Sequence, residues 1–218
     1  MCFSAAASFI TAVVTGGIGT VALAKVKEPR ELLLAATPMV FALQQSIEGL
    51  LWLDLSSSPD GSISTKLVFL FLFFAQVFWP IFVPVAVLLI EPNEKRRRIM
   101  LLCLAAGIGA GGYLLWGLLA GPQGAIILDD HIVYVTESRH LDAVALAYLA
   151  ATSLPPILSS RRTVVVLGAI ILVGSVVAYA FYWEAFISVW CFFAAAASGV
   201  ILFHFELSRR QRLALAGA

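Results

Sequence analysis

The hydrophobic residues of this chain fall into seven runs that are each long enough for a helix across a lipid bilayer. Such a helix takes roughly 20 apolar residues, and short polar segments separate the runs. The predicted spans are residues 4–24, 32–53, 67–90, 99–120, 141–158, 164–182 and 185–205. The pattern therefore predicts an all-α integral membrane bundle of seven transmembrane helices, forming one domain over residues 1–218.

Charged residues are sorted between the two sets of connections. Basic residues follow the first, third, fifth and seventh spans, at Lys25, Lys27, Arg30, Lys95–Arg98, Arg161, Arg162, Arg209, Arg210 and Arg212. The other connections are mainly acidic, with Asp54, Asp60, Asp129, Asp130, Glu137 and Glu184 against Lys66 and Arg139. By the positive-inside rule, this alternation predicts an N-terminus outside and a C-terminus in the cytoplasm. The expected location is the inner (cytoplasmic) membrane.

The longest connection, residues 121–140, has its own pattern. Two β-prone runs, Ala-Ile-Ile-Leu and His-Ile-Val-Tyr-Val, flank the pair Asp129 and Asp130. Such runs around a short polar turn indicate a β-hairpin. We expect it to lie over the outer end of the bundle as a partial lid, with a disordered outer loop as the alternative.

Composition agrees with a membrane protein and excludes other classes. The chain is 61% hydrophobic and 12% charged, with a formal net charge of +1 and a mean hydropathy of +0.97. Soluble domains average about 25% charged residues, so the lipid bilayer is the expected partner. The basic residues are clustered between apolar runs and form no basic face, which argues against nucleic acid.

The N-terminus and the cysteines narrow the choices further. No positively charged segment or convincing cleavage site precedes the first apolar run, so we expect this run to be retained. Met1 is a candidate for removal because residue 2 is small. The three cysteines, Cys2, Cys103 and Cys191, are too few and too scattered for a disulfide framework.

Glu48 is the only carboxylate set well inside a predicted span. An ionisable group at such depth costs roughly 2.5 to 3.5 kcal/mol on insertion scales, so it usually faces a protein interior or a wet cavity. Gln44 and Gln45 lie one turn deeper on the same broad face. We predict an outward-facing polar pocket around Glu48, one and a half turns below the outer end of its span. The candidate ligand-binding residues are Gln44, Gln45, Glu48, Gln76, Tyr134 and Ser188. We expect Gln76 and Trp79 of the third span to meet Gln44 and Gln45 near mid-membrane.

Three interpretations of these residues stay open. In the first, a protonated Glu48 and the glutamines only hydrogen-bond between helices, and the protein is structural. In the second, the pocket binds a small molecule or a proton. In the third, a metal- or thiol-dependent membrane enzyme uses Cys2, Glu48, His131 and Cys191. Thiolate and imidazole ligands favour zinc, copper or iron over magnesium, so the expected cofactor of this third site is a transition metal such as zinc.

Several familiar functions lack their residues. A retinal protein of seven helices needs a lysine in its last span, but the last lysine is Lys95. The motifs HExxH and GxSxG and the P-loop are absent.

In the fourth span, Gly107 and Gly111 form a small-xxx-small pair that predicts close helix packing. Cys103 and His204 fall in the inner half of the bundle and are predicted to be packing residues. A homo-oligomer is compatible with all of these features.

Four segments together resemble a family of bacterial multi-pass membrane proteins that has no assigned activity. They are the Met-Cys-Phe-Ser-Ala start, Phe-Ala-Leu-Gln-Gln-Ser-Ile-Glu-Gly-Leu-Leu-Trp, Asp-His-Ile-Val-Tyr and Ser-Val-Trp-Cys-Phe-Phe-Ala-Ala. The resemblance covers nearly the whole chain and implies an uncharacterised bacterial membrane protein. Its signature segments contain Cys2, Gln44, Gln45, Glu48, Trp52, His131, Tyr134, Trp190 and Cys191.

Overall fold

The protein is mostly helical and carries one small sheet. The computed structural model describes residues 4–57, 65–128, 131–136, 142–181, 195 and 197–216. The helices in this part are α1 (Ala5–Ala24), α2 (Leu32–Ser57), α3 (Thr65–Ile90), α4 (Glu94–Ala120), α5 (Asp142–Ile157), α6 (Arg162–Phe181) and α7 (Ser198–Ala216). The strands are β1 (Gln123–Leu128) and β2 (His131–Thr136).

The helices pack in chain order around the bundle. Each helix contacts the next along the chain, and α7 returns to pack against α1 and α2. The third helix also contacts α5, which makes α3 the most central element. Short connections explain this order, because consecutive helices joined by a few residues are neighbours in space. The arrangement places α2 and α3, which carry the candidate pocket, side by side.

Three of the described helices are long and apolar enough to cross a membrane, namely α1, α3 and α4. The apolar parts of α5 and α6 are shorter, Asp142–Ile157 and Arg162–Ala178. The glutamines and Glu48 lower the mean hydropathy of α2, although this helix is 26 residues long. The all-α character of the bundle is therefore confirmed, whereas seven membrane spans and their orientation stay predictions.

Several helix boundaries differ from the predicted spans. The second helix continues to Ser57 rather than 53, and α4 begins at Glu94 rather than 99 because the Asn93 side chain caps it, accepting a hydrogen bond from the Arg96 N–H. The predicted span 185–205 lies largely outside the described residues, and α7 runs on to Ala216. Apolar length predicts where a helix can cross a membrane, but caps decide where it begins.

The basic segments meet at one end of the bundle. Lys25, after α1, forms an ion pair with Glu206 of α7 at 2.6 Å. Arg96, at the start of α4, donates to the carbonyl oxygen of Leu158 after α5. Residues 29–31 contact the C-terminal part of α3. The four basic connections are thus neighbours, as the alternation of charge along the chain predicts.

The hairpin covers the opposite end. Its strands pair antiparallel with Leu128 opposite His131, as the sequence predicts, and the turn residues 129 and 130 lie outside the described part. Ala125 and Ile132 are fully buried, and the Tyr134 ring stacks on Phe71 of α3 with 4.7 Å between centroids. The hairpin is therefore packed onto the ends of α2 and α3 by one apolar face.

Candidate functional site

One face of α2 carries the polar residues of the candidate site. Gln44, Glu48 and Trp52 follow each other at intervals of four, so they lie along one side of the helix. Gln44, Gln45 and Glu48 are fully buried, and Trp52 is 6% exposed. The Gln45 Nε2 donates to Glu48 Oε2 at 3.1 Å. Glu48 therefore lies in a protein interior with an amide donor at its carboxyl group.

Glu48 is deeper in its helix than predicted. Nine residues separate it from the end of α2 at Ser57, which is about 14 Å along the axis at 1.5 Å per residue. Measured to the end of the helix, the separation is about two and a half turns because α2 continues past residue 53, whereas the depth of Glu48 in a membrane stays a prediction. The hairpin packs over this same end of α2.

The third helix supplies the other wall of the site. The Trp79 indole donates to Gln44 Oε1 at 2.7 Å, and its ring stacks on Phe41 with centroids 3.9 Å apart. Trp79 is fully buried. The predicted meeting of α2 and α3 at the level of Gln44 is confirmed. We call the group formed by Gln44, Gln45, Glu48, Trp52, Gln76 and Trp79 the Glu48 cluster.

Gln76 lies near the level of Glu48. The two helices run antiparallel. Gln76 is three residues from Trp79 toward the hairpin end, and Glu48 is four residues from Gln44 in the same direction. At 1.5 Å per residue, these offsets are about 4.5 and 6 Å from the Gln44–Trp79 contact. Gln76 is also buried, at 7% exposure. The axial positions therefore bring Gln76 to the part of α3 nearest in height to Glu48.

Three buried polar atoms of the cluster have no hydrogen-bond partner among the described residues. They are Gln45 Oε1, Gln76 Oε1 and Trp52 Nε1. Two are acceptors and one is a donor, and the Glu48 carboxyl group adds further acceptor capacity. Leaving a buried polar atom unsatisfied costs about 1–3 kcal/mol. The cluster therefore has hydrogen-bonding capacity for a small guest that offers donors, or for a proton on Glu48.

A π-helical turn at Phe73–Phe78 shapes α3 beside the cluster. The backbone N–H of Trp79 donates to the Phe74 carbonyl, and Pro80 has no backbone N–H. The Ala75 carbonyl therefore lacks its usual helical donors. The Tyr148 hydroxyl of α5 donates to that carbonyl at 2.5 Å. Such turns recur at functional sites, and here the turn contains Gln76.

An apolar cavity lies on the other side of Trp79. Its lining contains no charged side chain, and it is formed by Leu34, Thr37, Phe41, Trp79, Val83, Ala86, Val87, Thr152, Pro156, Leu167, Ile171 and Ile201. Thr37 and Phe41 precede Gln44 on α2, so the cavity extends toward the basic end of the bundle. The Trp79 and Phe41 rings thus separate the polar cluster from this apolar cavity.

The remaining predicted site residues divide into two groups. His131 begins β2 and is half-buried, and Tyr134 is held against Phe71, five residues before Gln76 on α3. Cys2, Ser188, Trp190 and Cys191 lie outside the described residues. No group of three metal-ligating side chains occurs within the described ranges. The metal set of Cys2, Glu48, His131 and Cys191 therefore stays a prediction.

The structure also explains the reactive residues that were assigned to packing. Cys103 is buried on α4. His204 is buried on α7, where its Nδ1 shares a short hydrogen bond with the Thr163 hydroxyl of α6. Both residues lie away from the Glu48 cluster, as predicted.

Sequence reasoning missed two contributors to the site as chemical groups. Trp52 was noted only within a signature segment, although its spacing of four from Glu48 could have marked it. The role of Tyr148 had no local signal, because it depends on a π-helical turn 73 residues earlier in the chain. The neighbouring Pro80 was the available clue, since a proline inside a helix frees a carbonyl.

Comparison with known proteins gives a family but no activity. No curated protein and no solved structure matches the chain. A family model matches residues 1–216, and its description is "Family of unknown function (DUF6629)". The match extends over almost all of the sequence. The chain therefore belongs to DUF6629, a family of unknown function.

Proposed function

We propose that this protein is a multi-pass integral membrane protein of the bacterial inner membrane, with seven spans, its N-terminus outside and its C-terminus in the cytoplasm. The gathering of the basic connections at one end of the bundle supports this orientation, because cytoplasmic loops are rich in Lys and Arg. The hairpin then lies on the outer side. In this placement, the Glu48 cluster belongs to the outer half of the membrane.

The proposed activity is binding of a proton or a small donor-bearing ligand at the Glu48 cluster. One observation carries this proposal: Glu48 is fully buried and bonded to Gln45, whose amide oxygen has no donor in the described part of the chain, and Gln76 on α3 has another such oxygen. A protonated Glu48 can donate to such an oxygen, and an ionised Glu48 can accept from a cationic or hydroxyl-bearing guest. The site thus offers complementary partners for both states.

On the face of α2, the neighbours of Glu48 are amides and an indole. Charged side chains inside a membrane are costly and mark ion or proton pathways and binding sites. A change of protonation at Glu48 would therefore alter its hydrogen bond with Gln45.

The variant Glu48→Gln tests the proposal in lipid nanodiscs. It preserves size and hydrogen-bonding shape but removes the titrating proton. We expect a pH-dependent carboxylic-acid band in the infrared spectrum of the native protein and its loss in Glu48→Gln. Stability should change by less than about 1.5 kcal/mol, as for other substitutions of equal volume.

Ser46→Ala is the matched control, because Ser46 is on the same helix and, among the described residues, its hydroxyl donates to the carbonyl of Ala42 alone. This control should retain the band. A native spectrum that does not respond to pH, together with unfolding of Glu48→Gln, would show that Glu48 is structural. Stoichiometric zinc that disappears in Cys2→Ser or Cys191→Ser would replace the proposal with the metal site.

A further inference from the structure

Two connections are joined at the basic end of the bundle by one buried carboxylate. Glu91, directly after α3, is 2% exposed. It accepts hydrogen bonds from the backbone N–H and hydroxyl of Ser160 at 2.7 and 2.5 Å, and from the Asn93 N–H at 3.0 Å. Ser159 adds a hydroxyl donor at 3.3 Å. The start of α4 and the α5–α6 connection are therefore held together as one surface.

The charge of Glu91 is stabilised by neutral donors. Burial raises the pKa of this carboxyl group, but the hydrogen bonds from Ser160, Asn93 and Ser159 outweigh it and lower the pKa overall. The carboxylate thus stays ionised, and within the described residues it forms no ion pair with a nearby arginine. The neighbouring Lys and Arg side chains therefore keep most of their capacity to bind an anion.

Six basic residues surround this junction, and we call them the basic corner: Lys95, Arg96, Arg97, Arg98, Arg161 and Arg162. Three of them are fixed by backbone carbonyls. Arg96 donates to Leu158 O at 2.9 Å, Arg97 to Leu88 O at 3.0 Å and Arg161 to Ile90 O at 3.4 Å. Each guanidinium keeps further donors, because it has five N–H groups in all.

The other three members, Lys95, Arg98 and Arg162, are exposed and form no side-chain hydrogen bond or ion pair within the described ranges. The second basic group at this end is different. There, Glu206 pairs with Lys25, Arg209 and Arg210 at 2.6, 3.8 and 3.0 Å. Glu206 therefore offsets part of the charge of this second group, whereas no acidic side chain in the described part of the chain forms an ion pair with the basic corner.

An apolar stripe on the surface of α4 leads away from the basic corner. Arg98, Leu102, Ala105, Gly109, Gly112 and Trp116 are spaced for one helix face, and all are exposed. A Cβ built on Gly109 or Gly112 would meet nothing within 4 Å. Gly109 is about 16 Å from Arg98 along the axis, roughly half of a 30 Å hydrocarbon core. The exposed face of α4 from Arg98 to Gly109 therefore has about the length of one leaflet, and we call it the α4 face.

We propose that the basic corner and the α4 face bind an anionic phospholipid of the cytoplasmic leaflet. Guanidinium groups suit a phosphate because they donate in a planar fork, and the small residues give an acyl chain room against α4. Basic surfaces at this level of a membrane protein bind anionic headgroups. The inference uses the membrane placement proposed above, but it is independent of any ligand at Glu48.

The test compares the native protein with Arg98→Gln/Arg162→Gln, which removes two charges but no hydrogen bond that the structure describes. Binding of phosphatidylglycerol, phosphatidylcholine and inorganic phosphate is measured by native mass spectrometry and by thermal protection in detergent. Each basic residue near an anionic surface is worth about fivefold in binding. The double variant should therefore bind phosphatidylglycerol roughly 30-fold more weakly.

Lys27→Gln/Arg30→Gln is the matched control, because it removes two charges from the same end outside the basic corner. It should bind phosphatidylglycerol within a fewfold of the native protein. Equal losses in both double variants would overturn the site, as would equal binding of phosphatidylcholine. Equal protection by inorganic phosphate would show that the corner takes a soluble phosphate instead. The infrared band of Glu48 should persist in both double variants, which separates this test from that of the Glu48 cluster.

Discussion

Single side chains in the Glu48 cluster link neighbouring helices through polar contacts. Gln44 on α2 accepts from Trp79 on α3, and both are fully buried. In a lipid bilayer, association of helices depends on packing and on such hydrogen bonds, because lipid chains are as apolar as leucine. The Gln44–Trp79 pair therefore helps to fix the spacing and height of α2 against α3, and with them the position of Gln76 relative to Glu48.

Gln44→Leu should destabilise the protein by about 1–3 kcal/mol, because it leaves the Trp79 indole N–H buried without its acceptor. In a double-mutant cycle with Trp79→Phe, the coupling energy should be about 0.6–1.7 kcal/mol, the range measured for hydrogen bonds between membrane helices. Unfolding in detergent by added denaturant measures both quantities. Zero coupling would mean that the contact contributes packing alone.

The grouping of Gln44, Gln45 and Glu48 could be predicted from the sequence because all three lie on one helix. Their spacing is local, so the helical period alone places them on one face. The residues on which they depend are distant in sequence, and no period relates Gln44 to Trp79 or Ala75 to Tyr148. The membrane pattern predicted that α2 and α3 meet, but the contact between Tyr148 and Ala75 follows from a π-helical turn that has no hydrophobic signature.

At the level of elements, two helices approach most closely where one of them has a glycine. A Cβ on Gly107 of α4 would be 1.9 Å from the Pro80 carbonyl oxygen and 3.1 Å from Ala151 Cβ of α5. Pro84 cannot donate to that carbonyl within α3, which leaves it free to face α4. The predicted packing role of the Gly107–Gly111 pair is confirmed, with Gly111 against Val77.

Gly107→Ala should separate α3 from α4 and cost about 1–3 kcal/mol or more, because the methyl group has no space. Gly109→Ala is a matched control on the same helix, with nothing within 4 Å of the added group. It should be neutral or stabilising by up to about 1 kcal/mol, since alanine favours a helix over glycine. Thermal unfolding of both variants in detergent decides the matter, and equal effects would contradict the packing account.

At the scale of the whole molecule, the two ends of the bundle have different chemistry. One end is covered by the apolar face of the hairpin on α2 and α3, whereas at the basic end the carboxylates of Glu91 and Glu206 join neighbouring connections. The charge alternation in the sequence predicted which segments share an end. It did not predict that Glu206 forms ion pairs with one basic group while Glu91 accepts hydrogen bonds from neutral donors beside the other, because both acids lie close to several basic residues in the sequence.

Glu206 connects the first and last described helices, and its ion pairs give the fold a defined dependence on pH. Hydrogen bonds from Lys25 and then Arg210 lower the pKa of Glu206 from 4.5 to about 2. Because the pKa is lower in the folded state, this group stabilises the fold above about pH 4.5, and that contribution is lost as the pH falls toward 2.

Glu206→Gln should therefore have a lower melting temperature than the native protein at pH 7, with the difference shrinking below pH 4.5. Glu28→Gln removes an exposed acid whose ion pair in the described part of the chain is with nearby Arg30, and it should show little difference at either pH. A Glu206→Gln deficit that stayed constant down to pH 2 would mean that the residue acts through packing, and that α1 and α7 are joined without its charge.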